Sequence, residues 1–191
     1  MGTKSSIRKE KLLLRGLLTQ EERKDKDNAI CKRVLDLSCV NEADTILCYA
    51  SYQSEVSTDK LVRSFLLAGK QVFLPRVNGE EMEFYRIENV QDLVAGYKGI
   101  PEPSNACMVT YVPDMTSKAV MIMPGCAFSR DGFRIGYGKG YYDRFLAKCD
   151  IMNRIALCFS VQIMESIPND AHDKKASVIV SEKGITECRK V

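Results

Sequence analysis

A single histidine, His172, serves all 191 residues, and none of the eight cysteines stands in a CxxC pair. Without a His/Cys ligand spacing a zinc-type centre is excluded, and nothing points to a Cys/His nucleophile and base. His172 is therefore read as a supporting or surface residue. No apolar run approaches the roughly 18 residues that span a bilayer, and no secretory-type apolar segment is present. Several cysteines lie inside apolar runs, Cys48 in "TILCYA" and Cys158 in "IALCFS". Reduced, buried thiols in a cytoplasmic protein are expected rather than disulfides. Charge of one sign is scarce too: 28 Lys and Arg against 25 Asp and Glu leave +3. That excess is too small and too scattered for a nucleic-acid face. Even the most basic stretch, Lys4 to Arg33, is interleaved with Glu10, Glu21, Glu22 and Asp25 and reads as solvated helix faces.

What is present is the composition of an ordinary globular chain, 45% apolar and 28% charged. The length suits one domain over residues 1–191, with no repeat, low-complexity tract or linker. An N-terminal helical segment is expected where Ile7, Leu13, Leu14, Leu17 and Leu18 return at helical spacing. Thr19 and Glu22 form a capping box that opens a second helix through Ala29, Ile30, Val34 and Leu37. "DTILCYAS", "STDKLVRSFLLAG" and "QVFLPRV" follow as strand, helix and strand, a βαβ unit with parallel strands. "EMEFYRI" pairs with the last of these as a hairpin. Asn89 to Ser117, broken by Pro101, Pro103 and Pro113, is the least regular segment. "KAVMIMPG" then reads as a buried strand, "KGYYDRFLAKC" as a helix, "RIALCFS" as a strand and "SVIVSE" as the final strand. The alternation predicts an α/β fold with a mostly parallel sheet flanked by helices. Sites in such sheets gather beyond the carboxyl ends of the strands, and "PGCAFSRDGFRIGYGKG" lies just beyond one.

That segment holds the chemistry. Gly136, Gly138 and Gly140 alternate, so a ligand can approach the backbone amides, and a helix follows whose N-terminus favours anions. Arg134 and Lys139 add positive charge suited to phosphate oxygens. Asp143, one turn into the helix, is placed to hold Mg²⁺ against the same phosphates. A tight packing turn would explain the glycines alone, but not Arg, Lys and Asp within ten residues. Neither familiar phosphate loop is present: Lys139 is followed by Gly140 rather than Ser or Thr, and the string is GxGxG rather than GxGxxG after a first strand.

"MPGCAFSRDGFRIGYGKGYYDRFL" closely resembles the signature of the 5-formyltetrahydrofolate cyclo-ligases, or methenyltetrahydrofolate synthetases. "KLLLR" resembles that family's N-terminal Lys-and-Arg element, "SEVST" its substrate-binding glutamate segment, and "IPEP" and "IPNDAHD" its later landmarks. The resemblance implies a fold of the NagB/RpiA/CoA-transferase type. It also implies ATP- and Mg²⁺-dependent conversion of 5-formyltetrahydrofolate, with or without a polyglutamate tail, to 5,10-methenyltetrahydrofolate.

By that pattern ATP would be bound by Lys11, Arg15, Arg134, Gly136, Tyr137, Gly138, Lys139, Gly140 and Tyr141, with Lys139 and Arg134 catalytic. Asp143 and Asp173 would hold the metal. Glu55, Ala50, Tyr141 and Tyr142 would contact the folate, although two adjacent helical tyrosines cannot face one way and one should enter the core. A small-molecule substrate, no nucleic acid, no membrane, and a monomer or weak dimer are expected. Lys11 and Arg15 could equally be surface residues of an amphipathic helix, and Glu55 a solvated loop carboxylate. A non-catalytic folate- or nucleotide-binding relative, and an ATP-independent sugar-phosphate isomerase or CoA-transferase relative, remain the alternatives. Ser129 and Ser177 stand where members often carry acids, which puts the outer shell of the metal in question.

Overall fold

The computed structural model describes residues 2–114 and 118–188. Its helices are α1 (Lys4–Gly16), α2 (Gln20–Leu35), α3 (Ser38–Asn41), α4 (Asp59–Leu67) and α5 (Tyr141–Lys148). The strands are β1 (Thr45–Leu47), β2 (Gln71–Asn78), β3 (Glu81–Ile87), β4 (Leu93–Ala95), β5 (Pro101–Pro103) and β6 (Ala119–Met123). They continue as β7 (Ala127–Ser129), β8 (Arg134–Ile135), β9 (Asn153–Leu157), β10 (Ile163–Met164), β11 (Val178–Ser181) and β12 (Gly184–Glu187).

A seven-stranded sheet runs in the order β12-β11-β9-β6-β1-β2-β3. The five central strands are parallel and the two edges antiparallel. The expected βαβ unit is β1-α4-β2, and β2 and β3 form the expected hairpin. Pairing period two puts alternate residues on opposite faces. Ile46, Val120, Ile122, Ile155, Leu157 and Val180 pack on one side with Ile30 and Val34 of α2 and Leu61 and Phe65 of α4. Leu47, Met121, Met123, Ala156 and Ile179 pack on the other with Leu146 of α5.

The Thr19–Glu22 capping box forms as expected, the Thr19 amide donating to Glu22 Oε2 at 2.8 Å and the Glu22 amide to Thr19 Oγ1 at 3.2 Å. In α1, however, the buried face is not the leucine stripe. Ile7, Lys11 and Arg15 are buried, whereas Leu13 and Leu17 are 64% and 69% exposed. The helix lies over a polar site, so its cations turn inward.

The chain also does not end its sheet at "SVIVSE": β12 pairs with β11 as a hairpin too short to stand out in the sequence. Within the irregular Asn89–Ser117 segment β4 and β5 pair; residues 115–117 lie outside the described residues. Within the stretch that sequence treats as a loop β7 and β8 pair, and β10, beyond β9, joins them as the three-stranded sheet β10-β7-β8.

Candidate active site

The parallel strands reverse their order between β1 and β6: the chain passes from β1 to β2 on one side and returns to β6 on the other. Connections leaving two adjacent strands in opposite directions part and open a crevice at their carboxyl ends. Both sequence-predicted segments leave from there.

After β1 the chain is tied into a compact loop. The Tyr49 hydroxyl donates to the Val56 carbonyl at 2.8 Å, and Thr58 Oγ1 donates to the Tyr49 carbonyl at 2.7 Å. The Ser51 amide donates to Thr58 Oγ1 and the Thr58 amide to Ser51 Oγ. Ala50 is half-buried in this loop, packing against the core. The loop ends by presenting Glu55, whose Oε2 accepts from the Tyr52 amide at 2.9 Å.

After β6 the turn at Gly125 is held by Gln162, only 1% exposed. Its Nε2 donates to the Gly125 and Cys126 carbonyls at 2.9 and 3.0 Å, and its Oε1 accepts from the Phe159 amide at 3.0 Å. The β7–β8 hairpin then returns Arg134, and the glycine loop leads into α5. Gly138 and Gly140 have φ of +95° and +68°, which L side chains rarely adopt. A Cβ on Gly140 would also stand 2.9 Å from Arg144 Nη1.

This loop walls a cleft of about 350 Å³ together with Lys4, Arg8, Arg134, Tyr142, Asp143 and Asp173. Lys139 and Tyr141 are on the wall as expected. Lys4 and Arg8 were missed by sequence reasoning. Arg8 Nε donates to the Gly136 carbonyl at 2.7 Å. Lys4, Arg8, Lys11 and Arg15 stand at i, i+4, i+7 and i+11, so the i, i+4 spacing of Lys11 and Arg15 continues toward the N-terminus as a stripe two turns longer. Lys11 lies outside the wall, its Nζ 3.7 Å from Glu10 Oε1. Arg15 spends its donors on protein: Ser54 Oγ at 3.0 Å, the Gly125 carbonyl at 3.4 Å and the Tyr137 hydroxyl at 2.8 Å.

Arg134 is 7% exposed. Its Nη2 donates to Asp143 Oδ1 at 2.8 Å, and its buried Nε has no partner. A buried unsatisfied donor is costly and is expected where a ligand supplies the acceptor.

The two predicted metal ligands sit in this cleft. Asp143 Oδ1 accepts from Arg134 and, at 3.3 Å, from the Lys174 amide. Asp173 Oδ2 accepts from Lys4 at 2.5 Å and from the Asp170 amide at 2.8 Å. Each carboxylate thus uses one oxygen on protein donors. Among the described residues no cluster of three His, Cys, Asp or Glu side chains could hold an ion alone. Two hard oxygen donors beside the glycine loop nevertheless fit Mg²⁺, which takes one or two carboxylates and fills its shell with phosphates and water.

Ser129 and Ser177 have other duties. The Ser129 hydroxyl donates to Asp131 and accepts from the Phe133 amide at 3.1 Å, closing the β7–β8 turn. Ser177 Oγ exchanges hydrogen bonds with the Arg154 backbone at 2.9 Å, joining β9 to β11. Neither lines the cleft.

Glu55 and Tyr137 meet across the site, the hydroxyl donating to Oε1 at 2.6 Å. Burial pushes the Glu55 carboxyl above its usual range, opposed by the hydrogen bonds from Tyr137 and Tyr52 and by the charge of Arg15. Glu55 also borders an outer cleft of about 630 Å³ between α2 and the post-β1 loop. Tyr142 enters the core edge-on to Phe84, centroids 6.3 Å apart, with the Arg134 guanidinium 5.3 Å from its ring. Burial pushes its phenol up. Tyr141 instead reaches the Gly79 carbonyl at 3.2 Å.

No helix among the described residues is long and apolar enough to cross a membrane. Residues 1–182 match the family model described as the 5-formyltetrahydrofolate cyclo-ligase family. A probable 5-formyltetrahydrofolate cyclo-ligase of Schizosaccharomyces pombe is 30% identical over 80% of this chain and 82% of its own. The mouse 5-formyltetrahydrofolate cyclo-ligase is 27% identical over 86% of each chain. The solved Aquifex aeolicus 5,10-methenyltetrahydrofolate synthetase superposes with a TM-score of 0.85 at 31% identity, covering 98% of this chain and 94% of that one. With the glycine loop, its cations and Glu55 gathered at one switch point, these likenesses place the chain in the 5-formyltetrahydrofolate cyclo-ligase family.

Proposed function

We propose that this protein converts 5-formyltetrahydrofolate to 5,10-methenyltetrahydrofolate with ATP as co-substrate, releasing ADP and phosphate. The observation that carries the assignment is one cleft in which a glycine loop and inward-facing cations lie a single hydroxyl away from the half-buried Glu55 carboxylate. A polyphosphate and a ring rich in N–H donors would fit those two neighbouring environments.

The formyl group is an amide, a poor electrophile whose oxygen does not leave as hydroxide. Attack of that oxygen on the γ-phosphorus forms an O–P bond and breaks the bond to ADP. N10 of the same substrate then attacks the activated carbon, the C–O bond breaks, phosphate departs and N10 gives up its proton. Closure within one molecule needs little activation of the nucleophile.

The chain's part is chiefly positioning and charge compensation. Arg134, Lys139, Lys4 and Arg8 would face the phosphates, and Gly138 and Gly140 let the backbone approach them. Asp143 and Asp173 would hold Mg²⁺, which when bound neutralises charge on the phosphoryl oxygens. Glu55 would accept hydrogen bonds from the pterin, with Tyr142 and Ala50 beside it. Arg15 supports Glu55 through Tyr137 rather than meeting phosphate. The eight cysteines are all unpaired, which suits the reducing cytoplasm.

Incubation with 5-formyltetrahydrofolate, ATP and Mg²⁺ should produce methenyltetrahydrofolate absorbance that vanishes when ATP is left out. Substrate binding without that absorbance would instead describe a non-catalytic relative, and turnover without ATP an isomerase- or transferase-like enzyme.

A further inference from the structure

We infer that Tyr137 is a positioning residue for the folate side of the site, setting the orientation of Glu55, rather than a nucleotide contact. The inference rests on the proposed reaction and assigns within it a residue whose place in the glycine loop suggests phosphate duty.

Tyr137 stands between Gly136 and Gly138, yet its side chain leaves the phosphate cradle. Its hydroxyl accepts from Arg15 Nη2 at 2.8 Å and donates to Glu55 Oε1 at 2.6 Å. A phenol has one proton, so a hydroxyl that donates to Glu55 can only accept from any further partner. Arg15 is that partner, and its guanidinium is fixed in turn by Ser54 and Gly125. With the Tyr52 amide on Oε2, both carboxylate oxygens of Glu55 are placed by the protein before substrate arrives. Tyr137 is 49% exposed, so the contact forms on the wall of the cleft, where substrate passes, and not in the core.

The electrostatics agree. Besides Arg15, the charged groups that line the outer cleft with Glu55 are Asp27, Arg23 and Lys24 of α2 and Lys60 of α4. Its neutral titratable neighbours are Tyr49, Cys126 and Tyr142. Burial raises the Glu55 carboxyl, and the Tyr137 hydrogen bond is the largest influence holding it down. Removal of that hydroxyl lets the carboxyl rise further. The form that accepts pterin N–H groups is then lost at a higher pH than in the wild type.

The test is steady-state kinetics of Tyr137→Phe, Glu55→Gln and the double variant, following methenyl absorbance with each substrate varied in turn. Tyr137→Phe should raise KM for 5-formyltetrahydrofolate by about tenfold, the usual scale for one hydrogen bond to a charged group. KM for ATP should change less than about twofold. The acid limb of kcat/KM for the folate should move to higher pH. In the double variant the Tyr137 change should add nothing to Glu55→Gln, because the hydroxyl acts through that carboxylate.

An effect confined to KM for ATP, unchanged constants, an unmoved acid limb or additive losses would each overturn the inference. Failure of the wild-type enzyme to form methenyl product would count against the proposed reaction itself, and is read separately from the variants.

Discussion

Arg134 and Asp143 hold each other across the start of α5, Nη2 donating to Oδ1 at 2.8 Å, while Nε of the same guanidinium is buried without a partner. Nine residues apart, they set a cation and a carboxylate side by side in the cleft before any ligand arrives. Lysine at this position keeps the charge but lacks the planar fork that serves Asp143 and a phosphate oxygen together. Arg134→Lys should lower kcat/KM for ATP by about 10²-fold, the scale of one lost transition-state donor. Wild-type efficiency would remove Arg134 from the reacting groups.

Asp143→Asn retains an acceptor for Arg134 and the Lys174 amide but loses the charge that suits a divalent cation. The Mg²⁺ concentration giving half-maximal rate should rise by about tenfold or more. A superimposable magnesium titration would argue that Asp143 serves only to hold Arg134.

Lys139 is exposed on the cleft wall, and its ammonium has no hydrogen-bond or ion-pair partner among the described residues. Lys139→Ala should therefore alter stability by no more than about 0.5 kcal/mol while sharply raising KM for ATP or lowering kcat. Denaturant melts read beside ATP-dependent rates separate these effects, and full ATP turnover would sink its assignment to the phosphates.

Gln162→Leu should cost about 3 kcal/mol, since it leaves the Cys126 carbonyl and the Phe159 amide without their buried partner and the Gly125 carbonyl with only the longer contact from Arg15. For a chain of this length that loss lowers Tm by roughly 10 °C. A change of Tm within a degree or two would mean that water replaces the amide.

Much of this molecule was legible in local signals. Thr19 and Glu22 are three residues apart, and their capping box needs only a helix to form. β1-α4-β2 follows from apolar runs bounded by Gly69, whose φ of +73° ends the helix. The glycine loop was legible because Gly138 and Gly140 need backbone angles closed to other residues. The face of α1 was not legible in the same way. Its leucines have helical spacing, but whether a helix buries leucine or arginine depends on what packs beneath it, and beneath α1 lies a polar cleft.

Sequence alone determined the longer elements and the glycine loop, because each rests on contacts a few residues apart or on backbone angles one residue type permits, and the alternation of those elements implied the mostly parallel sheet. Only the tertiary structure decided which cations enter the cleft, that Ser129 and Ser177 brace turns and strands away from it, and that Tyr137 meets Glu55 82 positions back along the chain. Such distant pairings are set where the strand order reverses between β1 and β6, and no local pattern encodes where two chain segments will cross.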